Sequence, residues 1–472
     1  MDDKPDHLHP EYKAMLPKWQ RCRDVLSGQD AVHAAGIKYL PALTDQEPAE
    51  YKAYKERTSF YPATGRTWQG LIGLVFRQSP HEEAPAAAMP LLEDVTLSGI
   101  DAEAFAREIM GEIEAVGRYG VLVEYPRVTQ QPGSLAEAGA MNLRPYATGY
   151  KAEAIINWRV ERIGNVMKPT LVVLAEKHKT AGMFVTTEED QLRVLMLFEG
   201  QYVQQIWRKP EKSGDWTLME QIVPLRNGAA LDFIPFYPFG AEENILTCQE
   251  PPLMDLVNVN LSHYRTSADL EHGAHFTGLP MLFLAGVRVA ENEKIRLGSQ
   301  AAIVADQPEA DGKFIEFTGQ GLGALEKLLD RKEAQMAAIG ARMLMPEKAA
   351  VEAAETVAMR HNGENSVLAG QANLTSQGVQ DVLNTMREWA GIPGEIAFRL
   401  STDFLPGRMS AQDLDALVKS WQAGAISKRT LFANLQMGEI VEPGKTFEEE
   451  EAEAAEDAPQ LGTMTVETDG AE

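Results

Sequence analysis

The chain has 472 residues, 69 of them Asp or Glu against 44 Lys or Arg, giving a formal net charge of -25. At 44% hydrophobic and 24% charged it has material for two or three domains around a substantial core. The acidic balance argues against a broad basic surface gripping a nucleic-acid backbone, which clustered Lys and Arg would have to supply.

The opening MDDKPDHLHPEYK has no basic or apolar leader region, and nowhere do about 18 apolar residues run together. Cys22 and Cys248 match neither a metal spacing nor a disulfide framework, so a soluble intracellular product is expected. Residues 1–80 mix charged and aromatic side chains, and short helices are predicted there. Trp68, Leu71, Ile72, Val75 and Phe76 form a helical stripe ended by Pro80. Residues 81–100, rich in Ala and Pro, read as a linker. Asp101 then caps a helix that leads into the apolar strand VLVEYP.

From Pro145 the pattern turns to strands. Leu171–Glu176, Gln191–Glu199 and Tyr202–Arg208 are apolar or alternating, and Trp216–Val223 and Asp232–Phe239 continue the series. These segments predict an antiparallel sheet in an α/β or α+β domain. Pro251 and Pro252 open a helix that runs to about Phe276. A small β-containing module follows, built on LPMLFLAGV, AAIVADQ and KFIEFTG.

The next helix carries Leu322, Leu325, Leu329, Met336, Ile339 and Met343 within one stripe of about 100°. Ala334, Ala337, Ala338 and Ala341 line another flank, small enough for a second helix to approach closely. Two unlike flanks suit a neighbour on each side, although the same pattern also suits a core helix of a monomer. Pro346 ends this helix. A polar connector holding Lys348, Arg360, His361, Asn362 and Asn365 leads to a further helix with Leu368, Val379, Val382, Leu383, Met386 and Trp389 on one stripe. Gly370 and Gly378 inside that helix predict a bend, and Gly391 with Pro393 closes it. EIAFRLSTDF reads as a strand, residues 410–441 as a helical pair capped by Ser410 and Ser427, and the acidic tail from Glu442 as disordered.

No catalytic constellation emerges. Gly319, Gly321 and Ala324 match G-x-G-x-x-A, but Pro346 and a polar loop stand where a second parallel strand belongs. Gly438, Gly444, Lys445 and Thr446 approach a phosphate loop with one residue too many between the glycines. His272 and His275 share a helix face without the further ligands a metal centre needs, so no metal and no cofactor is expected. The residues alone leave open a non-ring structural protein, such as a minor capsid or scaffold component, and an enzyme with a dispersed acidic site.

The order of parts resembles the portal proteins of tailed bacteriophages, the head-to-tail connectors. The stretches that carry the resemblance are TWQGLIGLVFR, RPYATGYKAEAIINWR, FIPFYPFG with PPLMDLVNVNLSHYRTSADLEHGAHFTGLPMLF, and LEKLLDRKEAQMAAIGARMLM through MREWAG, within residues 10–440.

The resemblance implies an α+β fold with an α/β wing bearing an antiparallel sheet (1–250), stem helices (251–275 and 321–345), a small α/β clip between them (276–320) and a tunnel loop (346–365). A kinked wing helix with a returning strand (366–409), a helical crown (410–441) and the acidic tail (442–472) complete it. It further implies a non-enzymatic virion protein at the portal vertex. Its copies would form a homo-oligomeric ring, usually a dodecamer, through which double-stranded DNA passes in genome packaging and ejection. Partners would be the terminase motor, neck or adaptor proteins and the major capsid or scaffold protein, with no membrane, and assembly would take place in the host cytoplasm. Lys348, Arg360, His361, Asn362 and Asn365 would face DNA.

Overall fold

The computed structural model describes residues 4–126, 141–210, 214–226, 228–277, 281–285, 310–315, 321–342, 366–404, 411–437, 440–441 and 445–456. Helix α1 (Pro10–Leu26) starts where the His9 ring accepts from Glu11 N–H and Pro10 takes the first turn. It buries Tyr12, Met15, Trp19, Cys22 and Val25, one stripe at helical spacing. Helices α2 (Gln29–Ala35), α3 (Pro48–Arg57) and α4 (Ala63–Val75) follow.

The stretch expected to be a linker is part of the core. It holds β1 (His81–Glu83) and α5 (Met89–Glu93), and Leu91, Leu92 and Val95 are buried. Its Ala and Pro content hides those apolar anchors. Helix α6 (Ala102–Val116) is capped as expected, with Asp101 Oδ1 accepting from Ala104 N–H at 2.7 Å. It ends on Gly117, whose φ of +73° and close approach to the Glu250 backbone leave no room for a Cβ.

The main strands between 118 and 240 divide between a three-stranded and a five-stranded sheet, where one sheet was expected. β2 (Arg118–Glu124) pairs on one side with β3 (Tyr146–Lys151) and on the other with β11 (Phe236–Gly240). Between β3 and β11, an antiparallel meander runs through β4 (Ile155–Ile163), β5 (Val166–Ala181), β6 (Thr186–Phe198), β7 (Gln201–Lys209) and β8 (Thr217–Ile222). The short β9 (Leu225–Arg226) and β10 (Ala229–Ala230) turn the chain back, so β11 joins β2 and does not extend the meander. Arg193 ties the sheets together: it reaches Glu124 of β2 at 2.5 Å and Glu176 of β5 at 2.7 Å, all three side chains being well buried.

Helix α7 (Met254–Thr277) leads to β12 (Met281–Ala285), which pairs antiparallel with β13 (Asp311–Ile315), and α8 (Leu322–Arg342) follows. Among the described residues of this module there are strands alone. Helix α9 (Val367–Trp389) runs through Gly370 and Gly378 as one continuous α-helix. Gly378 meets the ring of Phe239 on β11, at a spot where a Cβ would collide with it. The strand expected near Phe398 is β14 (Ala397–Arg399), and it pairs with β1 through Glu82 and Phe398. One hydrophobic core runs through α1, α6, β2, α7 and α9, with Trp19, Phe105, Ile113, Leu122, Leu256, Val257 and Leu383 all buried.

The C-terminal helices are α10 (Ala411–Gln422), α11 (Lys428–Met437) and α12 (Phe447–Glu456). Helix α12 stands where disorder was expected over residues 447–456, while 442–444 and 457–472 of the expected tail lie outside the described residues. Thr446 and Glu449 cap it reciprocally, Thr446 N–H donating to Glu449 Oε2 at 2.8 Å and Glu449 N–H to Thr446 Oγ1 at 3.2 Å. Lys445 pairs with Glu450 and Glu453, Lys428 of α11 with Glu451, and Phe447 packs edge-on against Phe432 of α11. Acidic residues in the first turn favour a helix start, which a composition argument for disorder overlooks.

Candidate assembly face

Helix α7 is fixed to the N-terminal helices by polar anchors. Asn260, fully buried, accepts from Thr64 N–H and Oγ1 and donates to Tyr61 O. Tyr54 donates to Asp269 at 2.9 Å, and Ser59 N–H to Glu271 at 3.1 Å. Such bonds hold the helix in one rotation as well as in place.

Helix α8 lies antiparallel on α7. Leu322, at its start, sits against Gly273, near the end of α7, while Lys332 and Glu333 reach back to residues 262–266. Lys332 Nζ donates to Ser262 O at 2.9 Å and to Thr266 Oγ1 at 2.5 Å, and burial pulls its pKa down. His263 Nε2 faces Glu333 Oε1 at 3.3 Å. Burial lowers the His263 pKa and Glu333 opposes that shift. Sequence reading missed this polar seam, because its members are spread over two helices whose register only the fold sets.

The stripe predicted on α8 is met in part. Met336 is buried, Ile339 packs on the core, and Leu322, Leu325 and Leu329 are half-buried. Met343 lies outside the described residues. Ala334, Ala337, Ala338 and Ala341 are all exposed, so the small-residue flank is free in the single chain. Exposed Glu326, Lys327, Asp330 and Arg331 alternate in sign nearer its start.

Lys348, Arg360, His361, Asn362 and Asn365, expected to face DNA, also lie outside the described residues. The far anchor of their loop is described: Ser366 is buried and its Oγ accepts from Ala369 N–H at 3.1 Å, capping α9. Among the described residues no three His, Cys, Asp or Glu side chains gather as metal ligands, His272 and His275 included. No helix of the described residues is long and apolar enough to cross a membrane. What the α7–α8 pair offers is a firmly held helical surface with one unfilled flank, suited to packing against another helix.

Residues 252–390, from just before α7 to just after α9, match a family described as a Domain of unknown function (DUF4055). No curated protein matches the chain. Among solved structures it is similar to a chain in the neck of an empty GTA particle computed with C6 symmetry, at 12% identity and a TM-score of 0.41, over 79% of this chain and 90% of that one. It is also similar to a chain in the neck of a native GTA particle computed with C12 symmetry, at 13% identity and a TM-score of 0.37, over 85% of this chain and 98% of the other.

Proposed function

We propose that this chain is a portal subunit, one of a ring of identical copies that forms a DNA channel at one vertex of a tailed-phage capsid. The observation that carries the reading is the unit from α7 to α8: two antiparallel helices, a paired β module between them, and an alanine flank left open on α8. In this reading α7 and α8 are the stem and β12–β13 belongs to the clip. The sheets with α1–α6 are the wing, and α10–α11 the crown. The alanine flank is where the neighbouring stem packs, since small side chains allow close helix approach.

The net charge of -25 suits a passage that must let DNA slide. An acidic wall repeated around a ring repels phosphate and holds it weakly. The tunnel loop, residues 346–365, supplies the few transient contacts through Lys348, Arg360 and His361. Docking of the motor and later of neck proteins falls to the clip, and the chain does no chemistry of its own.

The double variant Lys348→Ala with Arg360→Ala tests the channel assignment. Rings should assemble as before while the amount of DNA packaged or retained per particle falls. Undiminished filling would contradict the loop's role.

A further inference from the structure

The β5–β6 hairpin outruns its sheet. Pairing with β4 ends at Leu174 and pairing with β7 ends at Asp190, so, among the described residues, 178–189 have strand pairing only with each other. A two-stranded ribbon of this kind is marginally stable alone. Its turn is closed by Gly182 N–H donating to Val185 O at 2.8 Å. Met183, Phe184 and Val185 at the tip are 90%, 88% and 69% exposed. These are not turn-making residues: tight hairpins favour Asn or Gly at positive φ, and neither Met183 nor Phe184 has one. Something other than the turn accounts for three apolar side chains held out in water.

At the base of the same hairpin lies a recess of about 300 Å³ lined by Leu8, Ile156, Ala175, Leu192 and Trp216, with charged groups at its edge. Those groups are already engaged. Trp216 Nε1 donates to Asp6 at 2.9 Å, Gln191 to Glu176 at 2.6 Å, and Lys177 pairs with Asp190. Among the described residues, what remains open is apolar and large enough for an aromatic side chain. The tip cannot fold back into its own recess, because six extended residues carry it about 20 Å away from Lys177.

We infer that the Met183–Val185 tip of one copy seats in the Trp216 recess of the next, a head-to-tail contact between copies. This rests on the ring reading above. A knob and a socket on different parts of one chain make a heterologous interface, the kind that closes into a ring when the rotation allows. Charge agrees: residues 180–187 carry none, so the tip meets a neighbour of the same strongly negative sign without repulsion. Three such side chains offer at most about 500 Å², taking an aromatic at about 150–250 Å², short of the about 800 Å² per partner of a stable pair. The contact therefore adds to the α8 flank and does not replace it.

The test is a double-cysteine chain, Phe184→Cys with Ala175→Cys, oxidised mildly under assembly conditions, with each single variant as control. A ladder of linked chains from the double variant alone is expected. Rings without a ladder overturn this inference and leave the portal reading standing. Linked open chains without rings support the contact and contradict the portal reading, and neither product contradicts both. Phe184→Asp should raise the concentration needed for assembly at least tenfold with unchanged thermal unfolding of the single chain, and Phe184→Leu should restore it. Normal assembly of Phe184→Asp with loss of binding to another virion protein would overturn the proposal in favour of that partner.

Discussion

Single residues set the pH response. Glu114 on α6 is fully buried, neither carboxylate oxygen has a hydrogen-bond partner among the described residues, and burial pushes its pKa up to about 8. The folded state holds that proton up to about pH 8 while the unfolded chain releases it near 4.5, so stability is lost as pH rises between them. Glu114→Met should raise stability at pH 8 by about 1–3 kcal/mol and flatten this part of the profile, measured by denaturant unfolding. His263 works on the acid side. Its pKa is lowered from 6.5 by burial, so the unfolded chain takes up the proton first and stability falls as pH drops through 6.5. His263→Gln should weaken that acid loss, and an unchanged profile would assign it elsewhere. Arg193→Met would leave Glu124 and Glu176 buried without their cation, at a cost of about 3–5 kcal/mol.

At the scale of elements, α9 separates two glycines that look alike in sequence. Gly370 is exposed with open space around it, so Gly370→Ala should stabilise by about 0.5–1 kcal/mol. Gly378 faces the buried Phe239 ring, and Gly378→Ala should destabilise by about 1–3 kcal/mol through overpacking. Thermal unfolding of the two variants should move in opposite directions. Both glycines read as helix weaknesses in the sequence because propensity is local, while the reason for Gly378 sits on β11, far along the chain. The same limit explains the other differences. Strand periodicity located β5, β6 and β7, but which strands would share a sheet depended on β11 returning to β2. Apolar Leu91, Leu92 and Val95 were hidden by their Ala and Pro neighbours, and the acidic α12 by its charge. The α8 stripe was legible because helical spacing is a local signal, whereas its polar seam with α7 needed the register of two helices.

At the scale of the molecule, one core runs from α1 to β14, and among the surfaces left exposed on the described residues are two unlike ones, the alanine flank of α8 and the β5–β6 tip. A chain with two such unlike surfaces has a front and a back, which suits a closed ring better than a two-fold pair. On the proposed portal reading, Ala338→Arg would put a bulky cation where a neighbouring copy packs, and should block ring closure while leaving the fold of the single chain intact. The most direct measurement is the mass and shape of the assembled chain, by light scattering together with negative-stain imaging. The portal account predicts closed rings with an axial hole, of about twelve copies as the resemblance to phage connectors implies. A two-fold dimer, or a monomer at every concentration tried, would contradict it.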